Sequence, residues 1–318
     1  MLDKKTLIYS FILPLMILLA ACCFYLFYGI KGNWSFIVGL RANKLALLLL
    51  VAYMIGMSTL LFQTLTNNNI LTPSILGFDV LYVLMQTILV FLLGNSFVLL
   101  NIYWKFSVEA LIMVGASIVL FRTLNRYSQH DLTKMILIGV IMATFLRSIN
   151  SLLQRLIDPT VFAIAQTRTF ASFTSTKPEL LTIGGIIALL SFIWIWQQRH
   201  RLDVLMLGKN LAITLGIEYR QFSIQILTCM AILVSVATAL VGPISFFGLL
   251  VCTLVNILTP SMQHSVRIPF TFLISALILV LGQLLFEQAL GMKGVLGVVI
   301  EFIGGLTFLA LVLKKRTL

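Results

Sequence analysis

The chain has 318 residues, of which 60% are hydrophobic and only 10% are charged, and its formal net charge is +12. Its mean hydropathy of +1.08 is too high for a water-soluble domain, which cannot bury that much apolar surface. The Lys and Arg residues are dispersed and form no basic stripe, so we expect no nucleic-acid partner. Composition therefore predicts an all-α, polytopic membrane protein embedded in the lipid bilayer.

Ten apolar stretches approach or exceed the ~20 residues that a helix needs to cross the hydrocarbon of a bilayer. In chain order they cover 6–28, 44–64, 79–94, 106–121, 135–156, 180–196, 222–241, 247–259, 269–287 and 295–313. The eighth is short and begins beside Gly242-Pro243, which predicts a broken entry to that helix. No intervening segment is long enough for a core of its own, so we expect a single transmembrane domain, 1–318.

The first apolar stretch also resembles a lipoprotein signal, because Leu19-Ala20-Ala21-Cys22 follows a basic N-terminus. The apolar run continues beyond Cys22, and we therefore expect a retained signal-anchor helix over 6–28. Cys23, Cys229 and Cys252 also lie in apolar stretches, without a CxxC spacing. The pattern favours buried thiols over metal ligands.

The basic residues orient the chain in the membrane. An even number of spans places both termini on one side, and with the termini inside, more than half of the 22 Lys and Arg residues fall in cytoplasmic segments. The bias is strongest in the 197–221 segment and at Lys314-Lys315-Arg316. The positive-inside rule therefore predicts that both termini are cytoplasmic.

The motifs of nucleotide binding and hydrolysis are absent from the sequence: it contains no GxxxxGK[ST], HExxH or GxSxG. His130, His200 and His264 fall in three different predicted cytoplasmic segments, so we expect solvated loop residues rather than ligands. We expect no enzymatic activity, no cofactor and no metal site. A conduit or carrier is favoured, and an ion-driven secondary transporter or an intramembrane enzyme are the alternatives.

Residues 63–77 read QTLTNNNILTPSILG and are too polar to cross lipid. Asn and Thr side chains bond nearby backbone and Pro73 lacks an N–H group, so the second helix must end here. Irregular backbone near membrane depth persists only where it is buried in protein or lines a cavity. The segment is either an ordinary surface loop or backbone that lies beside a translocation path.

Three motifs together resemble the FecCD-type permeases, the membrane subunits of ABC importers for ferric siderophores, haem and cobalamin. They are Q-x-L-x-x-N-x-(I/L)-x-x-P-x-(I/L)-L-G at 63–77, L-G-x-x-x-A-x-x-L-G at 207–216 and G-P-I-x-F-x-G-L-(I/L)-V at 242–251. The resemblance implies import of iron(III)-siderophore complexes across a bacterial cytoplasmic membrane, with haem or cobalamin as the alternative substrate. It also implies a second permease subunit, identical or different, two cytoplasmic ATPase subunits and an extracytoplasmic binding protein.

The resemblance assigns roles at both faces of the membrane. Arg41 and Lys44 correspond to a basic pair that docks acidic residues of the binding protein, and cations three residues apart share one helix face. Interfacial snorkelling of the two side chains is the alternative. Asn68, Asn69 and Ile70 take the positions of the cytoplasmic gate, where Asn-Pro-Leu is the commoner family sequence.

The 207–216 motif corresponds to two short helices that fit a groove on each ATPase, and a membrane-surface amphipathic helix is the alternative. The leucines and the alanine supply apolar contacts and the glycines permit sharp turns. Lys209 and Asn210 replace the acidic residues common in the family, which indicates a different charge pattern on the cognate ATPase. The predicted coupling residues are Leu207, Gly208, Leu211, Ala212, Leu215 and Gly216.

Two further features depart from the common family pattern. Cys252-Thr253-Leu254-Val255-Asn256 stands where many relatives have P-H-x-x-R, and this variant resembles the branch that serves catecholate-type siderophores. Glu287 lies near a position where some relatives carry a basic docking residue.

Four ionisable residues fall in or at the edges of predicted spans, where charges usually face a cavity or a partner. They are Glu109, Arg147, Glu287 and Glu301. We expect Arg147 to pair with Glu301. The alternative is that Arg147 faces the translocation pathway, along which a ferric catecholate complex would carry negative charge.

Overall fold

The computed structural model describes residues 4–30, 33–93, 102–127, 132–158, 173, 178–259, 261–288 and 296–315. Within these ranges the chain is helical and contains no strand, in agreement with the all-α prediction. A 3₁₀-helix spans Pro73–Leu76. The α-helices are α1 (Lys4–Phe27), α2 (Trp34–Thr66), α3 (Phe78–Leu93), α4 (Ile102–Tyr127), α5 (Leu132–Leu156), α6 (Pro178–Gln197), α7 (Arg199–Leu205), α8 (Lys209–Thr214), α9 (Tyr219–Val241), α10 (Phe247–Leu258), α11 (His264–Gln288) and α12 (Leu296–Lys315).

Each of the ten apolar stretches coincides with one of these helices, although α2 begins at Trp34 rather than at residue 44. Five helices are long and apolar enough to cross a membrane, namely α2, α5 from Ile136, α6, α9 and α11. The apolar parts of α1, α3, α4, α10 and α12 are 10–17 residues long. The remaining two helices, α7 and α8, lie in the segment predicted to be cytoplasmic.

Helix α2 lies at the centre of the fold and packs most extensively against α9 and α11. All residues from Val51 to Leu65 are buried, so this part of α2 is surrounded by protein on every side. A helix that is apolar all round and enclosed by others is the expected core of a helical membrane protein. Residues 51–65 of α2 are therefore held by the elements around them, whereas its first turns are exposed.

Small residues let α2 and α11 approach closely halfway along their contact. A Cβ added at Gly56 would lie 3.1 Å from Oγ of Ser275 and 3.3 Å from Cγ2 of Thr271. Close backbone approach through glycine and hydroxyl residues is typical of helix pairs in membranes. The two helices therefore leave little room for a larger side chain at this level.

The break predicted at Gly242-Pro243 is present, because α9 ends at Val241 and α10 begins only at Phe247. Gly242 has φ of 95°, a conformation that side-chain-bearing residues rarely adopt. Of the four cysteines, only Cys252 is buried, whereas Cys23 is exposed and the other two are intermediate. The prediction of buried thiols is therefore right only for Cys252, because α1 presents Cys23 on an outer surface of the chain.

Candidate functional site

The polar segment that follows α2 forms a tight turn held by Gln63. Asn67 adopts a left-handed conformation with φ of 48° and closes the helix. The Gln63 side chain donates from Nε2 to the Asn69 carbonyl at 2.8 Å, and the Ile70 N–H donates to Oδ1 of Asn68 at 3.0 Å. Residues 67–70, which include the predicted gate positions, are exposed. The predicted gate is therefore an exposed turn fixed to a buried glutamine.

The polar turn is followed by backbone that is packed inside the protein. Pro73 and Leu76 of the 3₁₀-helix are buried, and a Cβ at Gly77 would lie 3.0 Å from Cβ of Ala143 on α5. Gly77 also has φ of 96°, so a larger residue would be strained there as well as crowded. The exposed turn at 67–70 thus lies between the buried end of α2 and the mostly buried residues 72–77.

His264 is fully buried, and the expectation of a solvated loop residue is wrong. It is the first residue of α11, and its Nδ1 donates to Oδ1 of Asp203 at 2.7 Å because a carboxylate only accepts. Its Nε2 lies 2.9 Å from Oγ1 of Thr64 near the end of α2. One imidazole therefore joins α7, α11 and α2. The two other sequence histidines differ: His200 is exposed, and His130 lies outside the described residues.

Asp203 binds α11 through its main chain as well as through the imidazole. The backbone N–H of His264 donates to the same Oδ1 at 2.6 Å, which places a carboxylate at the N-terminus of a long helix. Burial raises the pKa of the Asp203 carboxyl, but the hydrogen bonds from the side chain and backbone of His264 outweigh burial and hold the pKa below its ordinary value. Asp203 is therefore an anion at neutral pH.

Arg267 adds a second connection within the same first turn of α11. Its side chain is almost fully buried and donates from Nη1 to the sulfur of Met206 at 3.4 Å and from Nη2 to Oδ1 of Asn256. Met206 directly follows α7, and Asn256 lies in the last turn of α10. The first turn of α11 is therefore bonded to the α7 region, to α10 and to α2.

The coupling motif divides into anchored and exposed residues. Leu205 and Ala212 are buried, whereas Leu207, Leu211 and Leu215 are more than half exposed. The two glycines adopt positive φ, 96° at Gly208 and 85° at Gly216, and end the short helices in sharp turns as their residue type predicts. The segment thus contains two short helices with an exposed leucine surface.

Both members of the predicted docking pair make contacts within the chain. The Arg41 guanidinium donates to the carbonyls of Tyr25 and Tyr28, at 3.0 and 2.7 Å, where α1 ends. Nζ of Lys44 lies 2.8 Å from Oε1 of Glu287, an ion pair on the last turns of α11. Among the described residues Arg41 forms no ion pair, and its acceptors are neutral carbonyl groups. Within this part of the chain no anion compensates its positive charge.

Glu287 is the centre of a partly buried polar group, which we call the outer cluster: Tyr25, Lys44, Gln283 and Glu287. Besides Lys44, its Oε1 accepts from the Tyr25 hydroxyl at 3.1 Å and from Nε2 of Gln283 at 2.6 Å. The four residues come from α1, α2 and α11. The acidic residue that departs from the family pattern therefore neutralises one cation of the basic pair.

The expected pair between Arg147 and Glu301 is wrong within the described part of the chain. The Glu301 carboxylate instead accepts the backbone N–H of Ser245 at 3.2 Å, in the break between α9 and α10. The Ser245 hydroxyl donates to Asp79 near the start of α3, and Arg147 lies within electrostatic reach of that carboxylate. Arg147 itself is exposed on the surface of α5.

The residues that hold these clusters together escaped the sequence analysis. Thr64 occupies a variable position of the 63–77 motif, Asn256 ends the 252–256 variant and Asp203 belongs to no motif, so no pattern assigned these residues a contact. Thr64 is also 200 positions from the histidine that it contacts. The sequence shows only that these residues are polar and lie at or near the ends of apolar stretches. The same pattern is typical of helix ends that face solvent, so it does not predict a buried contact.

The chain matches the FecCD transport family over residues 7–314. It belongs to that family. Membership makes it a transport permease rather than an enzyme, and it agrees with the three motifs identified in the sequence.

Two relatives and one solved structure extend the comparison over nearly the whole chain. The petrobactin import system permease protein YclO of Bacillus subtilis (strain 168) is 40% identical over 96% of this chain and 97% of its own. FatC, the petrobactin import system permease protein of Bacillus anthracis, is 35% identical over 89% of this chain and 80% of its own. A metal-chelate type ABC transporter in an inward-facing conformation has the same fold, with a TM-score of 0.81 at 22% identity over 98% and 99% of the two chains.

Proposed function

We propose that this FecCD-family chain is the permease subunit of an ATP-binding-cassette importer that carries iron(III)-siderophore complexes into the cytoplasm. The observation that carries the proposal is the identity to two petrobactin import permeases along almost the entire sequence. Petrobactin is therefore the first substrate to test. Haem and cobalamin remain the alternative cargoes.

The ten apolar helices cross a bacterial cytoplasmic membrane as one domain with both termini in the cytoplasm. Their coincidence with ten apolar stretches supports the count, and the basic residues near α7 and the C-terminus support the orientation. A C-terminal fusion should be active with a cytoplasmic reporter and silent with one that works only outside the membrane. The opposite result contradicts this topology.

The exposed leucines of the coupling segment form the surface for a cytoplasmic ATPase. Leu207, Leu211 and Leu215 would fill an apolar groove on that subunit, while Leu205 and Ala212 anchor the segment to the permease. Lys209 and Arg220 line a groove beside α8 and would face acidic groups on the ATPase. Lys209→Glu should weaken assembly with the ATPase, and loss of its binding in a pull-down from detergent measures the effect.

The exposed apolar surface of α5 is suited to a second permease subunit, identical or different. Leu137, Ile141 and Phe145 recur every four residues on one face of α5 and are all more than half exposed. Arg147 is also exposed but, two residues beyond Phe145, it lies on a different side of the helix. In a pair of permeases the apolar face would pack on the partner and the side with Arg147 would border the central path, where Arg147 attracts an anionic ferric complex. Arg147→Ala should then lower uptake without lowering the amount of protein in the membrane. Reduced expression with normal uptake per molecule would instead assign Arg147 a structural role.

At the outer face, Arg41 would bind a carboxylate of the substrate-binding protein. Lys44 is already neutralised by Glu287, so Arg41 is the stronger candidate of the predicted pair. Arg41→Glu should weaken docking, and reversing the matching acidic residue of the binding protein should restore it. Equal docking by the reversed variant contradicts the assignment.

The mechanism then runs from one face to the other. The docked binding protein releases the iron complex into the path, and ATP-driven motion of the ATPases displaces α7 and α8. The turn at Asn68, Asn69 and Ile70 opens the inner gate, because an exposed turn can move without unwinding a buried helix. Crosslinking the two subunits at position 68 should block transport and spare docking.

The test of the whole proposal is uptake by the purified complex in proteoliposomes. Vesicles that contain permease, ATPase and binding protein should accumulate radiolabelled iron with petrobactin, only with internal ATP. Haem and cobalamin serve as competing substrates. Uptake that survives ATP depletion but collapses with the proton gradient would instead identify a secondary transporter.

A further inference from the structure

The first turn of α11 contains a buried histidine that contacts both a short helix outside the apolar spans and the inner end of the central helix. We call Thr64, Asp203 and His264 the inner cluster. Its three hydrogen bonds measure 2.6, 2.7 and 2.9 Å, and His264 has no exposed surface. Hydrogen bonds to an ionised carboxylate are about twice as strong as neutral ones. The inner cluster therefore fixes the distance between α7 and α11.

On the other side of the imidazole, Thr64 is one residue from the side chain that holds the polar turn. The Thr64 Oγ1 also lies 2.8 Å from the Leu60 carbonyl, so the hydroxyl is held between this carbonyl and the imidazole on the last turns of α2. The neighbouring Gln63 holds the carbonyl of Asn69. Asp203 is thus connected to the turn that contains the predicted gate positions by hydrogen bonds through His264 to Thr64, by the peptide bond between Thr64 and Gln63, and by the hydrogen bond from Gln63 to Asn69.

Arg267 makes a second connection between the end of α7 and the first turn of α11. Arg267 is bonded to Met206 just after α7 and to Asn256 at the end of α10. Because Arg267 and His264 lie on the same turn of α11, any displacement of α7 acts on this turn at two points. The inner end of α2 contacts that turn through Thr64.

We propose that the inner cluster transmits motion of α7 to the polar turn, so that displacement of the coupling segment by an ATPase moves the gate. This inference rests on the proposed function and deepens it. Thr64, Asp203 and His264 are positioning residues: they act through Gln63 and the turn and do not touch the cargo.

The test compares two variants of Thr64 in the complete reconstituted importer. Thr64→Val keeps the volume of the side chain and removes the hydroxyl, whereas Thr64→Ser keeps the hydroxyl. Thr64→Val should lower iron uptake per ATP hydrolysed by about fivefold or more, the lower end of known coupling energies, and Thr64→Ser should restore it. Tyr53→Phe is the matched control, because it removes a 3.1 Å hydrogen bond from α2 to Ser191 far from the inner cluster.

Two results would overturn the proposal. In one, Thr64→Val keeps the same uptake per ATP hydrolysed as the parent. In the other, uptake and hydrolysis fall together, which indicates a structural role. If Thr64→Val fails to assemble, Asp203→Ala takes its place, with Asp203→Asn as the conservative variant that still accepts both hydrogen bonds from His264.

A label at position 68 separates this proposal from the assignment of the cargo. A spin label attached to Asn68→Cys in the assembled complex should change its mobility when ATP binds. The parent chain without this substitution, treated with the same label, measures the background signal from the native cysteines. Thr64→Val should abolish that change and Thr64→Ser should keep it. If the labelled chain with native Thr64 responds to ATP but the complex takes up no siderophore, only the assignment of the cargo is refuted. The proposed transmission through the inner cluster is refuted if the label responds equally with Thr64 and with Thr64→Val. It is also refuted if the label does not respond in a chain with native Thr64 that transports.

Discussion

The two ends of the contact between α2 and α11 are held by different chemistry. At the outer end, Glu287 binds Lys44 of α2 and Tyr25 of α1, all three on helices that contain apolar spans. At the inner end, His264 binds Thr64 of α2 and Asp203 of α7, a helix of seven residues outside those spans. The outer cluster joins long helices to one another, whereas the inner cluster joins them to a segment that is predicted to be cytoplasmic. The first stabilises the fold and the second can transmit motion.

The largest effect is expected from Glu287→Gln. It leaves Lys44 without its anion, and the free energy of unfolding should fall by about 2–3 kcal/mol, less than for a fully buried pair because Lys44 keeps some contact with solvent. The apparent melting temperature of the purified chain in detergent measures this. Glu179→Gln, at an exposed position on α6, is the control and should change little.

Transport by the same variant sharpens the comparison. Complexes with Glu287→Gln that do assemble should keep the parent's uptake per ATP hydrolysed, because the outer cluster contacts neither coupling segment nor gate. A loss of coupling at normal stability would reverse the roles assigned to the two clusters.

Arg267→Met should produce a smaller loss of stability but a larger loss of coupling. The substitution leaves the side-chain Oδ1 of Asn256 without its donor, which costs about 1–3 kcal/mol for a buried group. It also removes the second connection to the α7 region, through Met206. Thermal unfolding and uptake per ATP hydrolysed should be measured together. Arg155→Met, at an exposed position on α5, controls for the lost charge. If Arg267→Met keeps the parent's uptake per ATP hydrolysed, the connection through Arg267 is not needed for coupling, and Asp203 alone would link α7 to α11.

Gly56→Ala tests the contact halfway between the two clusters. The new methyl group would meet Ser275 and Thr271 at 3.1–3.3 Å, so overpacking should cost about 1 kcal/mol of stability. Gly39→Ala on the same helix meets no atom within 4 Å and should be neutral or slightly stabilising. Equal melting temperatures for the two variants would show that α2 and α11 separate freely.

The smallest effect is expected at the turn itself. Asn67 has φ of 48°, which asparagine tolerates better than most residues, so Asn67→Ala should cost about 1 kcal/mol and Asn67→Gly should be neutral. Hydrogen exchange of the backbone amides in 67–70 measures the local effect. Equal exchange in both variants would show that the turn is held by Gln63 alone.

The sequence was sufficient to predict the helices, because a run of about 20 apolar residues has few alternatives to crossing a bilayer. It was also sufficient for the turns at Gly208 and Gly242, since both glycines adopt the positive φ that their residue type allows. These features depend on neighbouring residues in the chain. The position of the 207–216 motif was predictable for the same reason.

Long-range polar contacts were not predictable in this way. Arg147 and Glu301 have opposite charges and both lie near the membrane, but the break before α10 offers Glu301 a backbone N–H group at Ser245. His264 looked like a loop residue because its two partners lie 61 and 200 positions away. Charge and polarity identify residues that need a partner, and only the packing of helices decides which partner they obtain.

The length of α2 has a further consequence. With 33 residues and no proline, it is a continuous rod of about 50 Å, longer than the ~30 Å hydrocarbon layer that it crosses. Arg41 and Gln63 lie on this one rod, about 33 Å apart. A tilt of the rod about its tightly packed middle at Gly56 displaces both sites in opposite directions. Under the proposed function, contact of a binding protein with Arg41 and opening of the turn at the other end of α2 would then be mechanically linked through this one helix.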